Sequence, residues 1–126
     1  MQYEEVNNAL LSEFPALSVD KDDIDLPYVV AGCFTSFLLN SYLEGDKATY
    51  FRGLQFIETL YLSDVHKIRE LATVGYLESI QNTWPSNLLS IDIPFSDLGA
   101  ESKKWWTELN LFWDKKIKYL GESFKT

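Results

Sequence analysis

With 126 residues, 46% hydrophobic and 15% aromatic, the chain is long enough for one domain burying roughly two-thirds of its unfolded surface, and too apolar to be disordered. Nineteen acidic against eleven basic residues give a net charge of −8, which disfavours direct nucleic-acid binding and favours a basic protein partner. The single cysteine, Cys33, allows no internal disulfide, and the opening MQYEEVNN has neither the positive nor the apolar region of a signal peptide.

The charge is unevenly spread. Residues 1–46 hold nine acids against the single Lys21, a net of −8, whereas residues 103–126 hold six lysines against three acids. Residues 2–13 place Tyr3, Val6 and Leu10 on one helical face, which Phe14 continues; Glu4 and Glu5 suit the positive end of the helix dipole, and Pro15 stops the helix. Residues 16–25 form an acidic connection. Its four aspartates, Asp20, Asp22, Asp23 and Asp25, invite a calcium-loop reading, but counting from Asp20 puts Ile24 fifth, Asp25 sixth and Ala31 twelfth. An EF-hand needs an oxygen ligand, a glycine and a glutamate there. Two readings stay open: a solvated turn whose last Asp caps the next helix, with Pro27 in its first turn, or an acidic patch that meets a partner.

Residues 26–43 carry no charge, and apolar or aromatic side chains point to nearly every side of a helical wheel. That pattern predicts a buried central helix. Gly32, Ser36 and Asn40 recur every four residues and predict a shallow groove for a closely packed neighbour. The polar dilution of the stretch and its lack of a basic flank argue against a membrane span. Glu44 and Gly45 end it, Gly45 as a left-handed terminal residue.

Asp46 caps a helix over 47–62, with Tyr50, Leu54, Ile57 and Tyr61 on one face. Ser63 and Asp64 stop it and cap the next, over 65–81, so that the two form an αα-hairpin. Pro85 and Pro94 exclude a helix interior from residues 82–97, which read as a long irregular loop. In it Leu88, Leu89, Ile91, Ile93 and Phe95 act as pegs on the core, and Trp84 is a candidate partner contact. The last helix runs over 98–120, with Trp106, Leu109, Trp113, Ile117 and Leu120 in one stripe and Trp105, Phe112 and Tyr119 beside it. Lys115, Lys116 and Lys118 crowd its end, and Gly121 terminates it. The fold class is all-α: a single domain, 1–126, of about five helices.

Catalytic chemistry finds little support. His66 and Glu70, four residues apart, are the one acid/base pair in reach on a helix surface. One histidine and one cysteine fall short of a zinc set, phosphate-cradling glycine motifs do not occur, and Glu58, Glu70 and Glu78 do not make the Glu-x-x-His pattern of di-iron bundles. The sequence therefore points away from an enzyme, a cofactor or a metal.

Two stretches, LLSEFP at 10–15 and LGAESKKWWTELNLFW at 98–113, bracket a helical domain that resembles a family of small bacterial helical proteins, some encoded beside polymorphic or contact-dependent toxins. The resemblance implies an immunity protein that binds and neutralises a cognate toxin. A small acidic protein suits a basic nuclease toxin, which it would occlude by charge complementarity. The expected contacts are Asp20, Asp22, Asp23, Asp25, Glu44, Asp46 and Trp84, in a cytoplasmic protein that is a monomer or a homodimer. The alternative is a non-catalytic adaptor, or a self-associating module, that uses the aromatic face of its C-terminal helix.

Overall fold

The computed structural model describes the backbone of residues 1–124 and the side chains of residues 1–114. Its described residues form helices and turns, as the all-α reading expects. A short 3₁₀ turn, Tyr3–Glu5, leads into α1 (Val6–Glu13); α2 (Pro27–Leu43) and α3 (Lys47–Tyr61) follow. A long α4 covers residues 66–86, α5 spans Asp92–Asp97 and α6 spans Ala100–Phe124.

Local chemistry explains most boundaries. Pro27 occupies the first turn of α2, where its missing N–H costs nothing. Asp25 does not cap that helix: Leu26 holds the cap position, with no side-chain cap hydrogen bond. At the far end Gly45 adopts φ 79°, and the Asp46 N–H reaches back to the Ser41 carbonyl at 2.9 Å, closing a Schellman turn. The Asp46 side chain then caps α3 by accepting the Thr49 N–H at 3.2 Å. Before α4, Ser63 rather than Asp64 closes the turn, its hydroxyl accepting the Val65 N–H at 3.1 Å.

The α3–α4 hairpin receives helices on two sides. The first is α2, which packs on both arms and on α1; the second is α6, which packs on α3 and on the middle of α4. The approach of α2 is close at Gly53, where a Cβ would collide with Leu38 Cδ2. The middle of α4, Leu71–Leu77, is π-helical, and the Glu78 N–H donates to the Thr73 carbonyl five residues back. Widening the turn lets Leu71, Ala72, Gly75, Tyr76 and Leu77 all reach the interior. One aromatic cluster joins Phe14, Phe34, Phe37, Phe56 and Tyr76; a second joins Tyr42, Tyr50 and Trp84.

Several expectations need correction. Helix α2 is not buried all round: Val29, Ser36, Asn40 and Leu43 face solvent, and a Cβ at Gly32 would meet nothing within 4 Å. The Gly32/Ser36/Asn40 stripe is thus the outer face, and the close packing lies along Phe34 and Leu38. The stretch 82–97 is not one irregular loop. Helix α4 continues through Pro85, which sits in its last turn, and Pro94 is the third residue of α5, where an N–H has no intrahelical partner. Only residues 87–91 connect the two.

Of the expected pegs, Leu89, Ile91 and Phe95 pack on the core, whereas Leu88 is 96% exposed and has φ 61°. The C-terminal helix continues past Gly121 to Phe124. The expectations for the side chains of Lys115, Lys116, Ile117, Lys118, Tyr119 and Leu120 lie outside the described residues.

Candidate functional site

Helix α2 divides the acidic residues into two groups. At 1.5 Å per residue its 17 residues hold Asp25 and Glu44, just beyond its two ends, roughly 25 Å apart. Asp20, Asp22, Asp23 and Asp25 therefore gather at one end of the molecule. Glu44 and Asp46 lie at the other, where Asp46 is occupied in capping α3. The six acids expected to act together fall into two groups, one at each end of α2.

A different neighbour joins the aspartates. The acidic turn folds against the start of α1, fixed there by Asn7, whose Nδ2 donates to the Ile24 carbonyl at 2.8 Å. Between them lies a cleft of about 320 Å³, lined by Tyr3, Glu4, Asn7, Asn8 and Asp25 among others. Among the described residues, Glu13 alone of the nine acids in residues 1–46 has a basic side chain within 4 Å, that of Arg52 at 3.9 Å. Glu4, Asp20, Asp22, Asp23 and Asp25 thus leave a net negative charge at one end of the fold, with Lys21 and Lys67 as the neighbouring cations. Sequence reasoning left Glu4, Asn7 and Asn8 out of the site. The tandem Asn7-Asn8 was the available signal, since asparagine is a poor helix former and two inside a short helix ask for a reason.

Trp84 is placed differently from its expected role. It is fully buried, beside Tyr42 and Tyr50, so it serves the core and is not presented to a partner. On the C-terminal helix Trp106 is buried and Trp105 stacks on Tyr61, with ring centroids 6.2 Å apart and planes at 6°. Leu111 and Phe112 are exposed further along.

His66 and Glu70 lie at the rim of a second groove, of about 340 Å³, beside the π-helical segment, with Thr73, Val74 and Trp105 in its walls. Their Nε2–Oε2 separation is 3.7 Å, too long for a hydrogen bond, and the imidazole is largely in water. The Thr73 hydroxyl contacts the Tyr61 hydroxyl at 2.8 Å and donates to the Arg69 carbonyl at 3.2 Å. Burial pushes the Tyr61 phenol well above its ordinary value, which keeps it protonated. This geometry braces α3 against α4. Among the described residues no group of three or more His, Cys, Asp or Glu side chains is arranged to hold a metal ion, and no helix is long and apolar enough to cross a membrane.

The chain belongs to a family described as a domain of unknown function, DUF7674, whose model matches residues 7–114. No curated protein and no solved structure matches it.

Proposed function

We propose that this protein is a cytoplasmic immunity protein, one that neutralises a basic bacterial toxin domain by stoichiometric binding and without catalysis. The observation that supports this reading is the acidic end formed by Glu4 on the 3₁₀ turn before α1 and by Asp20, Asp22, Asp23 and Asp25 on the following turn. Charge gathered at one end, five acids against the neighbouring Lys21 and Lys67, gives a directed field. Such a field steers a basic partner into a fixed orientation and speeds its association. Glu44 and Asp46, at the opposite end of α2, fall outside this contact surface.

Pulling the tagged protein from its own bacterium at low and then moderate salt tests the reading. The expected catch is one basic protein, bound one-to-one, whose toxicity this chain suppresses. Recovery of the chain alone at both salt concentrations contradicts it.

A second reading, a non-catalytic adaptor or self-associating module, draws on a separate observation. Leu111 and Phe112 stand exposed on α6, an apolar pair of the kind that a partner helix or a second copy covers. It predicts binding that salt barely affects, or a dimer that Phe112→Ser disperses.

A further inference from the structure

We propose that the groove between α4 and Trp105 is a binding site for a free apolar α-amino acid, held as its zwitterion. The groove shares no lining residue with the acidic cleft, and its ligand is a small molecule, separate from any captured toxin.

The walls are Thr73, Val74 and Trp105. Thr73 and Val74 belong to the π-helical segment, a rare conformation that occurs frequently at functional sites. The Val74 side chain stands exposed there. Trp105 is held by Tyr61, stacked at 6.2 Å, and by the Lys104 ammonium, 5.5 Å from its centroid. It is therefore a fixed wall and not a stacking platform.

Arg69 and Glu70 bring opposite charges to the same lining. Successive helical residues diverge by about 100°, and these two make no ion pair with each other within 4 Å. Arg69 Nη1 donates to the Ser63 carbonyl at 2.8 Å, which fixes the guanidinium and leaves it no carboxylate partner among the described residues. The Glu70 carboxylate lies 3.7 Å from the His66 imidazole, beyond hydrogen-bond reach.

A ligand that completes this lining carries an anion for Arg69, a cation for Glu70 and an apolar body. An apolar α-amino acid has all three on one carbon, and a guanidinium grips a carboxylate with paired N–H groups. A plain hydrophobic acid would leave Glu70 beside a like charge, and a hydrophobic amine would do the same at Arg69. An internal peptide segment offers neither charge. A groove of about 340 Å³ is at the small end of ligand clefts, which suits a single amino acid.

Titrating the ¹⁵N-labelled full chain with L-leucine and with L-phenylalanine tests the assignment. Isocaproic acid, isopentylamine and N-acetyl-leucine amide are the controls, lacking leucine's ammonium, its carboxylate and both charges. Saturable shifts are expected at the Arg69, Glu70, Thr73 and Val74 backbone amides and at the Trp105 indole N–H. Each control should bind about tenfold more weakly than leucine. Glu70→Gln, a change at a half-exposed side chain, should weaken leucine about tenfold and leave isocaproic acid bound no more weakly. Saturation by neither amino acid overturns the assignment, as do controls that bind as tightly as leucine. Shifts confined to residues outside the groove, or native leucine affinity in Glu70→Gln, overturn it too.

Discussion

The Glu58 carboxylate, carried on α3, caps α6 by accepting the Ser102 N–H and hydroxyl, both at 2.8 Å, and the Glu101 N–H at 3.0 Å. Ser102 is fully buried, so these first-turn donors have little water to turn to. A negative charge here also suits the positive end of the helix dipole. A second tie, from the Tyr50 hydroxyl to Asp97 Oδ2 at 3.0 Å, fixes the chain just before α6. Two side chains of α3 thus set where the C-terminal helix begins.

Replacing Glu58 with alanine leaves those donors unpaired, and should destabilise the fold by about 1–3 kcal/mol in chemical denaturation. The effect carries a pH signature. Partial burial alone would raise the Glu58 pKa, but the hydrogen bonds from Ser102 and Glu101 outweigh it and hold the group below its ordinary value of 4.5. A depressed carboxylate contributes stability that is present above its unfolded pKa and lost as pH falls through the folded one. Native protein should therefore lose stability on acidification below about pH 4.5 more steeply than Glu58→Gln does.

Gly99 leaves the room that this contact needs. A Cβ there would lie 2.5 Å from Glu58 Cδ, so Gly99→Ala should cost about 1–3 kcal/mol by displacing the carboxylate. Because both changes break the same contact, the double variant Glu58→Ala/Gly99→Ala should lose clearly less than the two single losses added together. Simple additivity in a denaturation cycle would show that the two residues act independently.

Leu88 offers the opposite sign. Helix α4 ends in the same hydrogen-bond pattern as α2, with the Leu89 N–H on the Trp84 carbonyl and the Leu88 N–H on the Pro85 carbonyl, each at 3.0 Å. Where α2 places Gly45, α4 places a leucine at φ 61°, and its side chain is exposed. Leu88→Gly should therefore stabilise the protein by about 1 kcal/mol, read as a rise in Tm. A fall in Tm would mean that the leucine side chain contributes more than its backbone strain costs.

Legibility in the sequence followed the physics of each signal. The stripes of α1, α3 and the start of α6, the Gly45 terminus and the Asp46 cap are local, and local periodicity and cap chemistry revealed them. The sidedness of α2 was hidden because its outer face carries small neutral residues, Gly32, Ser36 and Asn40, instead of charges. Pro94 misled because it stands in a first turn, where an N–H has no intrahelical partner, and Pro85 because it stands one residue from the end of α4, where the hydrogen bond it gives up coincides with the helix's end. The role of Glu58 and the pairing of Glu4 with Asp25 across one cleft depend on contacts 43 and 21 residues apart in sequence, beyond any local pattern.

The most direct measurement of the central claim is the association rate of the captured partner at low and moderate salt, for two charge reversals. Glu4→Lys/Asp22→Lys/Asp25→Lys alters the α1 end, and Glu44→Lys alters the opposite end of α2. The account predicts that the first slows association by about tenfold or more at low salt and flattens its salt dependence, while the second changes it little. Unchanged kinetics in the first variant, or equal slowing in the second, would contradict it.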